Sequence, residues 1–343
     1  MKTNSCLLQA FLLLAVIFGS TLLAKAQSEQ TSHFTRPVPE GGGPTRIHVN
    51  MVMLDIDEID SANQSFTVNL FIVLQWQDPR LAHPGPSAIF HDLHDIWNPS
   101  PIFVNRQRLW HSFPNQVKVD MNGNGILMQR VWGQFSQPLN VRNFPFDSQE
   151  LEVRIASATD SETEVEFVQS PTLSSGLADQ FSLPDWRVLN WELKMDPYRV
   201  LGIGDESRAS AALAIQVKRY ASVYAVKVLL PLVLIVMMSW IVFWIDPQQA
   251  GTQIGVATTS MLTLIAYRFM VGGNLPAVPY LTRMDAFILG STVLVFAALI
   301  QAVYTSSITS QGKQEQMSSL DRLCRVLFPL LFLALLAWAF WLF

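Results

Sequence analysis

The sequence predicts an all-β sandwich of the immunoglobulin-like kind, followed by an all-α domain of four transmembrane helices. Three observations carry this. Apolar and polar residues alternate through residues 47–220, the period of a strand with one buried face. Four apolar runs fill residues 223–343, each long enough to cross about 30 Å of hydrocarbon as a helix. Charge divides the same way: residues 27–221 hold 23 acidic and 15 basic side chains, and residues 222–343 hold 4 and 6. Only 15% of the 343 residues are charged and half are hydrophobic, against about a quarter charged in soluble domains.

Taken in order, Met1–Ala26 reads as a secretory signal peptide, with Lys2 at its start, an apolar run from Leu7 to Ala24 and Ala24-Lys25-Ala26 as a small-x-small cleavage site. The competing reading is an N-terminal membrane anchor. Export places residues 27–220 outside the membrane as an extracellular or periplasmic domain. Residues 28–43 are polar and rich in proline and glycine, a lead-in. Phe66, Val68, Leu70, Ile72, Leu74 and Trp76 then occupy every second position, although Phe71 and Val73 break the polar face. Leu151, Val153 and Ile155 alternate with Glu152 and Arg154, and Leu213, Ile215 and Val217 repeat the pattern. Asp78-Pro79, Asn122-Gly123-Asn124-Gly125, Asp196-Pro197 and Gly202–Gly204 are turn signals between strands.

Helices are expected at about 223–245, 251–272, 284–305 and 324–343, within a domain of residues 221–343. Trp240 and Trp244 close the first run, and Trp338 and Trp341 close the last, which suits the membrane interface. With the sandwich outside, four crossings return the C-terminus to the outer side. The chain is then a multi-pass protein of the cell membrane, its partners including the lipid bilayer.

The second run is the most polar. Gly255, Thr259, Leu262, Ala266 and Phe269 recur at steps of four, three, four and three, so they share one helix face. Gln253 and Thr252 lie at its inner end. Several copies around an axis would enclose a narrow path, lined by Gln253, Gly255, Thr259, Leu262, Ala266 and Phe269. Rings of leucine or phenylalanine close such a path by dewetting. Small residues for tight helix packing are the other reading of the same stripe.

Other signals are weak or absent. Cys6 and Cys324 stand apart, and no Cys/His set suits zinc. His91-x-x-His94, with Asp95 and His83, reads as a solvated loop. Glu162, Glu164 and Glu166 read as a solvated strand face. No phosphate loop, nucleophile elbow or HExxH occurs, so neither an enzyme nor a cofactor is expected. Neither half offers a basic surface for nucleic acid.

Short motifs in a fixed order make the chain resemble the pentameric ligand-gated ion channels, over residues 47–343. They are Trp76-Gln77-Asp78, Trp97-Asn98-Pro99, Phe144-Pro145-Phe146-Asp147, Arg219 twelve residues before Pro231, and Asn274-Leu275-Pro276 with Pro279-Tyr280. The loop around Pro145 lacks the two cysteines of animal receptors, and the third-to-fourth connection is short, so the likeness is to prokaryotic members. The resemblance implies a homopentamer, second helices lining a pore for monovalent ions, and gating by an external small molecule or protons. It assigns coupling between the domains to Phe144, Pro145, Asp147, Arg219 and Pro276. It places the agonist near Phe71, Val104, Ala158 and Tyr198. Most of the aromatic rings usual at those places are missing, which disfavours a choline-like ligand. Some bacterial members open on acidification; Gln64 stands where such a channel can carry a carboxylate, with Asp55 nearby and Leu264 where a histidine can occur. Gly251, Thr252 and Gln253 carry neither signature of ion selectivity, and the acidic outer domain points to weak cation preference. The alternative of a different class is a non-conducting, membrane-anchored periplasmic sensor.

Overall fold

The computed structural model describes residues 35–199, 206–246, 248–273, 278–309 and 314–342. The expected signal peptide, the Gly202–Gly204 turn and Pro276 lie outside the described residues.

Thirteen strands form the outer domain among these residues: β1 (Thr45–Asp60), β2 (Ser65–Gln77), β3 (Ile89–Asp92), β4 (Pro101–Phe103), β5 (Arg106–His111), β6 (Gln116–Val119), β7 (Asn124–Ser136), β8 (Ser148–Ser161), β9 (Val165–Gln169), β10 (Gly176–Leu177), β11 (Trp186–Lys194), β12 (Tyr198–Arg199) and β13 (Ser207–Arg219). The larger sheet runs β10-β1-β2-β7-β6-β3, with β5 also on β7 and β9 also on β1; the smaller runs β11-β13-β8-β4, with β12 on β13. Inward residues of both sheets make one core. Phe66, Leu70, Ile72, Leu74 and Trp76 face Leu151, Val153, Ile155, Leu213 and Ile215, all buried. The period-two register of β2 and β8 therefore does what alternation requires: it turns one whole face inward. Three positions depart from such alternation. Val73 is buried on the opposite face of β2, and Ala212 and Ala214 are buried on the far side of β13.

Trp76 and Asp78 serve the frame. The Trp76 ring meets Trp97 edge-on at 6.2 Å. Asp78 is fully buried, accepts the Arg80 amide and holds the Arg80 guanidinium at 2.7 Å. Gly123 has φ +79° and sits against the Asp78 carbonyl, so no side chain fits there. The three alternating glutamates do not share a strand face. Glu164 lies in the turn after β8, where its carboxylate accepts from the Ser161 amide and hydroxyl; Glu166 alone is on β9, paired with Arg46. Local capping of the turn by Glu164 wins over extension of the strand. His91 likewise falls on β3 rather than in a loop.

Among the described residues, four helices long and apolar enough to cross a membrane follow. They are α1 (Ala221–Trp244), α2 (Ala250–Gly272), α3 (Arg283–Thr309) and α4 (Gln314–Ala337), the last continuing as a π-helical turn through Leu342. α1 has a π-helical turn at Ala225–Leu229, just before Pro231. Proline has no amide hydrogen to give the carbonyl four residues back, and a π turn absorbs that break. α4 begins ten residues before the expected start because the apolar run marks only lipid-facing length, whereas the helix continues through Asp321, Arg322 and Arg325. Aromatic contacts close the bundle: Trp240 with Phe332 at 5.5 Å, Phe243 with Phe328 at 4.8 Å and Phe287 with Phe340 at 5.4 Å.

Candidate functional site

α2 has two opposite stripes. Gln253, Ala257, Ser260, Leu264, Tyr267 and Val271 are buried against the other helices. Thr252, Gly255, Thr259, Leu262, Ala266 and Phe269 are exposed on the single subunit. Phe269 is 82% exposed and Leu262 62%, high values for large apolar side chains on a helix that packs in a bundle. A Cβ at Gly255 would meet nothing within 4 Å. The Thr259 hydroxyl donates to the Gly255 carbonyl at 2.8 Å, leaving its lone pairs outward.

Gln253 is a correction to the expected pore face. It is 1% exposed, and its amide donates to the carbonyls of Ile245 at 3.0 Å and Val242 at 3.4 Å. These carbonyls lie at the end of α1, where a helix must satisfy its last acceptors; that of Val242 also takes the Ile245 amide at 3.2 Å. Thr252 continues the exposed stripe instead, three residues before Gly255. On the buried side, the Tyr267 hydroxyl donates to the Val228 carbonyl at 2.6 Å. That carbonyl lies in the π turn of α1, so α2 is tied to α1 where the α1 backbone is irregular.

At the junction of the two domains, β13 ends on Arg219 and the β7–β8 loop ends on Asp147. Both side chains are buried; Arg219 Nε lies 2.8 Å from Asp147 Oδ1 and Nη2 3.2 Å from Oδ2. Arg219 also donates to the Ser61 hydroxyl at 2.8 Å and the Tyr224 hydroxyl at 3.2 Å. Its guanidinium lies over the rings of Trp186, Phe144 and Tyr224 at 4.0, 4.8 and 5.5 Å. One cation thus ties the β1–β2 turn, the β7–β8 loop, β11 and the start of α1. The same loop reaches the helices. The Val141 amide donates to the Tyr280 hydroxyl at 3.2 Å, the Arg283 amide to the Arg142 carbonyl at 3.1 Å, and Phe146 meets Phe340 at 5.7 Å. Pro145 is buried within this loop.

The four expected ligand positions are not brought together in one subunit. Phe71 is on β2 of the larger sheet, edge-on to Phe113 at 6.0 Å. Val104 follows β4 and bonds Arg154 of β8 through its amide at 2.9 Å. Ala158, exposed on β8, bonds Ser100 at 3.0 Å, and Tyr198 on β12 has the Arg154 guanidinium 6.0 Å from its ring. Arg154 is held by Glu152 at 2.7 Å and Asp196 at 3.0 Å. Burial lowers the Arg154 pKa, but the hydrogen bonds to these two carboxylates raise it further, so the net shift is upward.

An exposed aromatic pair escaped the sequence reading. Trp110 of β5 and Trp132 of β7 lie 4.8 Å apart, and the Trp132 indole donates to Asp57 at 2.5 Å. Their signal was the outward set Met128, Arg130 and Trp132 opposite inward Val131 and Phe135. Only the β5–β7 register, which pairs Trp110 with Trp132, makes them neighbours.

Residues 20–203 match the neurotransmitter-gated ion-channel ligand binding domain, and residues 228–320 match the neurotransmitter-gated ion-channel transmembrane region. The chain is similar to a proton-gated ion channel of Gloeobacter violaceus, 25% identical over 87% of this chain and 83% of the relative. It is also similar to a gamma-aminobutyric acid receptor subunit beta-like protein of Drosophila melanogaster, 26% identical over 76% of this chain and 56% of the relative. A gamma-aminobutyric acid receptor subunit beta of Caenorhabditis elegans is 25% identical over 76% of this chain and 49% of the relative. The matches thus span about half the length of these two animal relatives.

Proposed function

The chain belongs to the neurotransmitter-gated ion-channel family, whose members are membrane channels and not enzymes, and we propose that it forms a homopentameric channel with α2 around the axis. The observation that carries this reading is the outward stripe Thr252, Gly255, Thr259, Leu262, Ala266 and Phe269 opposite a buried stripe of the same helix. A lone anchor has no need for small and hydroxyl residues on one side of a span. Five copies turn the stripe into rings: hydroxyl and glycine rings at the inner half, leucine and phenylalanine rings above. The apolar rings exclude water when closed, and Thr259 oxygens replace part of an ion's hydration when open.

Gating starts in the outer domain, from a small ligand or protons, and passes through Phe144, Pro145, Asp147 and Arg219 to the helices, with Pro276 on the adjoining linker. The agonist cleft is completed by a neighbour, whose Phe71 meets Val104, Ala158 and Tyr198 across the interface. The Arg154 charge is already met by two carboxylates, which supports an amine over a carboxylate ligand. The pore passes monovalent ions with weak cation preference. The outer domain carries net −8 per subunit, and a vestibule of that sign concentrates cations within the screening length of about 8 Å. Domain and C-terminus face the extracellular or periplasmic side.

Native mass measurement and planar-bilayer recording test this together. A mass of five subunits with unitary currents is expected; a dimer, or a ring that never conducts, contradicts it and favours the non-conducting sensor. Under a tenfold NaCl gradient the reversal potential is expected to move from zero toward the sodium equilibrium value and to stop short of it. A reversal at the chloride value contradicts the cation preference and points to Arg268, exposed beside Phe269.

A further inference from the structure

Among the described residues, two buried oxygens between α3 and α4 have no hydrogen-bond partner: Asp321 Oδ2 and Gln301 Oε1. They belong to one small cluster at the end of the bundle far from the sandwich. Asp321 is 2% exposed and Thr305 fully buried. The Gln301 amide spends both its hydrogens there, donating to Asp321 Oδ1 at 2.7 Å and to the Thr305 hydroxyl oxygen at 2.9 Å. The Thr305 hydroxyl donates to Asp321 Oδ1 at 3.4 Å. Every donor of the cluster is therefore in use, and the two orphan atoms are both acceptors.

A buried acceptor without a donor is costly, and a buried unpaired charge more so. One hydrogen resolves both faults. Placed on Asp321 Oδ2, it turns that atom into a donor toward the Gln301 carbonyl. It also removes the charge and closes a cyclic acid–amide pair with the existing 2.7 Å bond. We propose that Asp321 is held as a neutral carboxylic acid shared with Gln301, a proton-binding site between α3 and α4, outside the ion path.

The nearest cation, Arg325, favours the ionised form, but it makes no ion pair with Asp321. Among the described residues, Arg325 and the Cys324 thiol are the titratable groups facing Asp321. Arg325 is committed elsewhere: its Nε donates to the Phe243 carbonyl at 2.8 Å and its guanidinium lies over Trp244. Arg322 is exposed and donates to Ser319. The charged residues of α3, Arg283 and Asp285, stand at its other end. Asp246, beyond the end of α1, accepts the Gln248 amide. Intramembrane carboxyls of this kind bind and release protons where function requires it. Loss of this proton leaves the α3–α4 contact with an unmet charge, so the site reads pH at the inner side through the docking of α4, independently of the agonist.

Infrared spectroscopy of the full-length protein in lipid nanodiscs at neutral pH tests this. A carbonyl band of a protonated carboxylic acid is expected, and Asp321→Asn is expected to remove it. Gln301→Ala, which takes away the hydrogen-bond acceptor, is expected to move the band to higher frequency. If Asp321→Asn cannot be purified, the shift in Gln301→Ala alone decides. Spectra in which Asp321→Asn loses no acid band, or Gln301→Ala leaves it unmoved, overturn the proposal.

Discussion

Arg219 holds both carboxylate oxygens of Asp147, at 2.8 and 3.2 Å, inside a box of Trp186, Phe144 and Tyr224. The pair is fully removed from water, so its geometry has to be complete: Gln149 donates to Asp147 Oδ2 at 2.8 Å and Arg219 donates onward to Ser61. Removing one partner leaves the other charged and buried, at about 3–5 kcal/mol. Arg219→Ala is therefore expected to melt well below the parent in detergent and to reach the membrane poorly. Arg219→Lys keeps the charge but loses the two-point grip. It is expected to assemble better than Arg219→Ala, with currents harder to evoke. Parent-like agonist responses in Arg219→Ala would remove the coupling role.

Leu262 and Phe269 compete as the closed constriction. A polar ring wets a closed pore, so Leu262→Ser is expected to raise resting current or to speed opening. Voltage clamp of Leu262→Ser and Phe269→Ala side by side assigns the gate. If only Phe269→Ala leaks at rest, the closed constriction is at Phe269.

The Tyr267 hydroxyl on the Val228 carbonyl couples α2 to the π turn of α1. Tyr267→Phe removes one hydrogen bond, about 1 kcal/mol. The expected result is an agonist midpoint shifted about fivefold at unchanged surface expression, in a dose–response series. An unshifted midpoint would show that the bond is present equally in closed and open states.

Asp55 is a poor proton sensor. Burial pushes its carboxyl up, but hydrogen bonds from Ser182 and Ile56 outweigh that and hold it below the ordinary carboxylate value. A depressed group contributes its stability above the ordinary value and loses it only as pH falls through the folded one. Asp55 therefore stays ionised between about pH 5 and 7. Asp55→Asn is expected to leave the midpoint of any acid-evoked current in that range in place. A clear displacement would make Asp55 part of the sensor.

The legible parts were those set by local period. β2 and β8 follow alternation over most of their length, and the α2 stripe follows helical steps, because in each case one buried face dictates the residues. What escaped depends on partners far along the chain. Gln253 looks pore-facing as a polar residue on a membrane helix, yet its partners are carbonyls ending the previous helix. Trp110 and Trp132 become a pair only through the β5–β7 register. The Asp147–Arg219 pair was recognisable from the motifs around Pro145 and Pro231. Its box was not, since Trp186, Tyr224 and Ser61 come from three separate segments. The expected ligand positions lie on both sheets of the chain, and only the proposed pentamer would bring them together across an interface.

The central claim is that the outward stripe of α2 lines the ion path. Substituted-cysteine accessibility tests it in the conducting channel, with buried Cys324 as a quiet background. Thr259→Cys and Ala266→Cys are expected to let a charged thiol reagent block the current. Ser260→Cys and Leu264→Cys, on the buried stripe, are expected to leave it unchanged. Block at Ser260 and Leu264, with none at Thr259 and Ala266, would contradict the account.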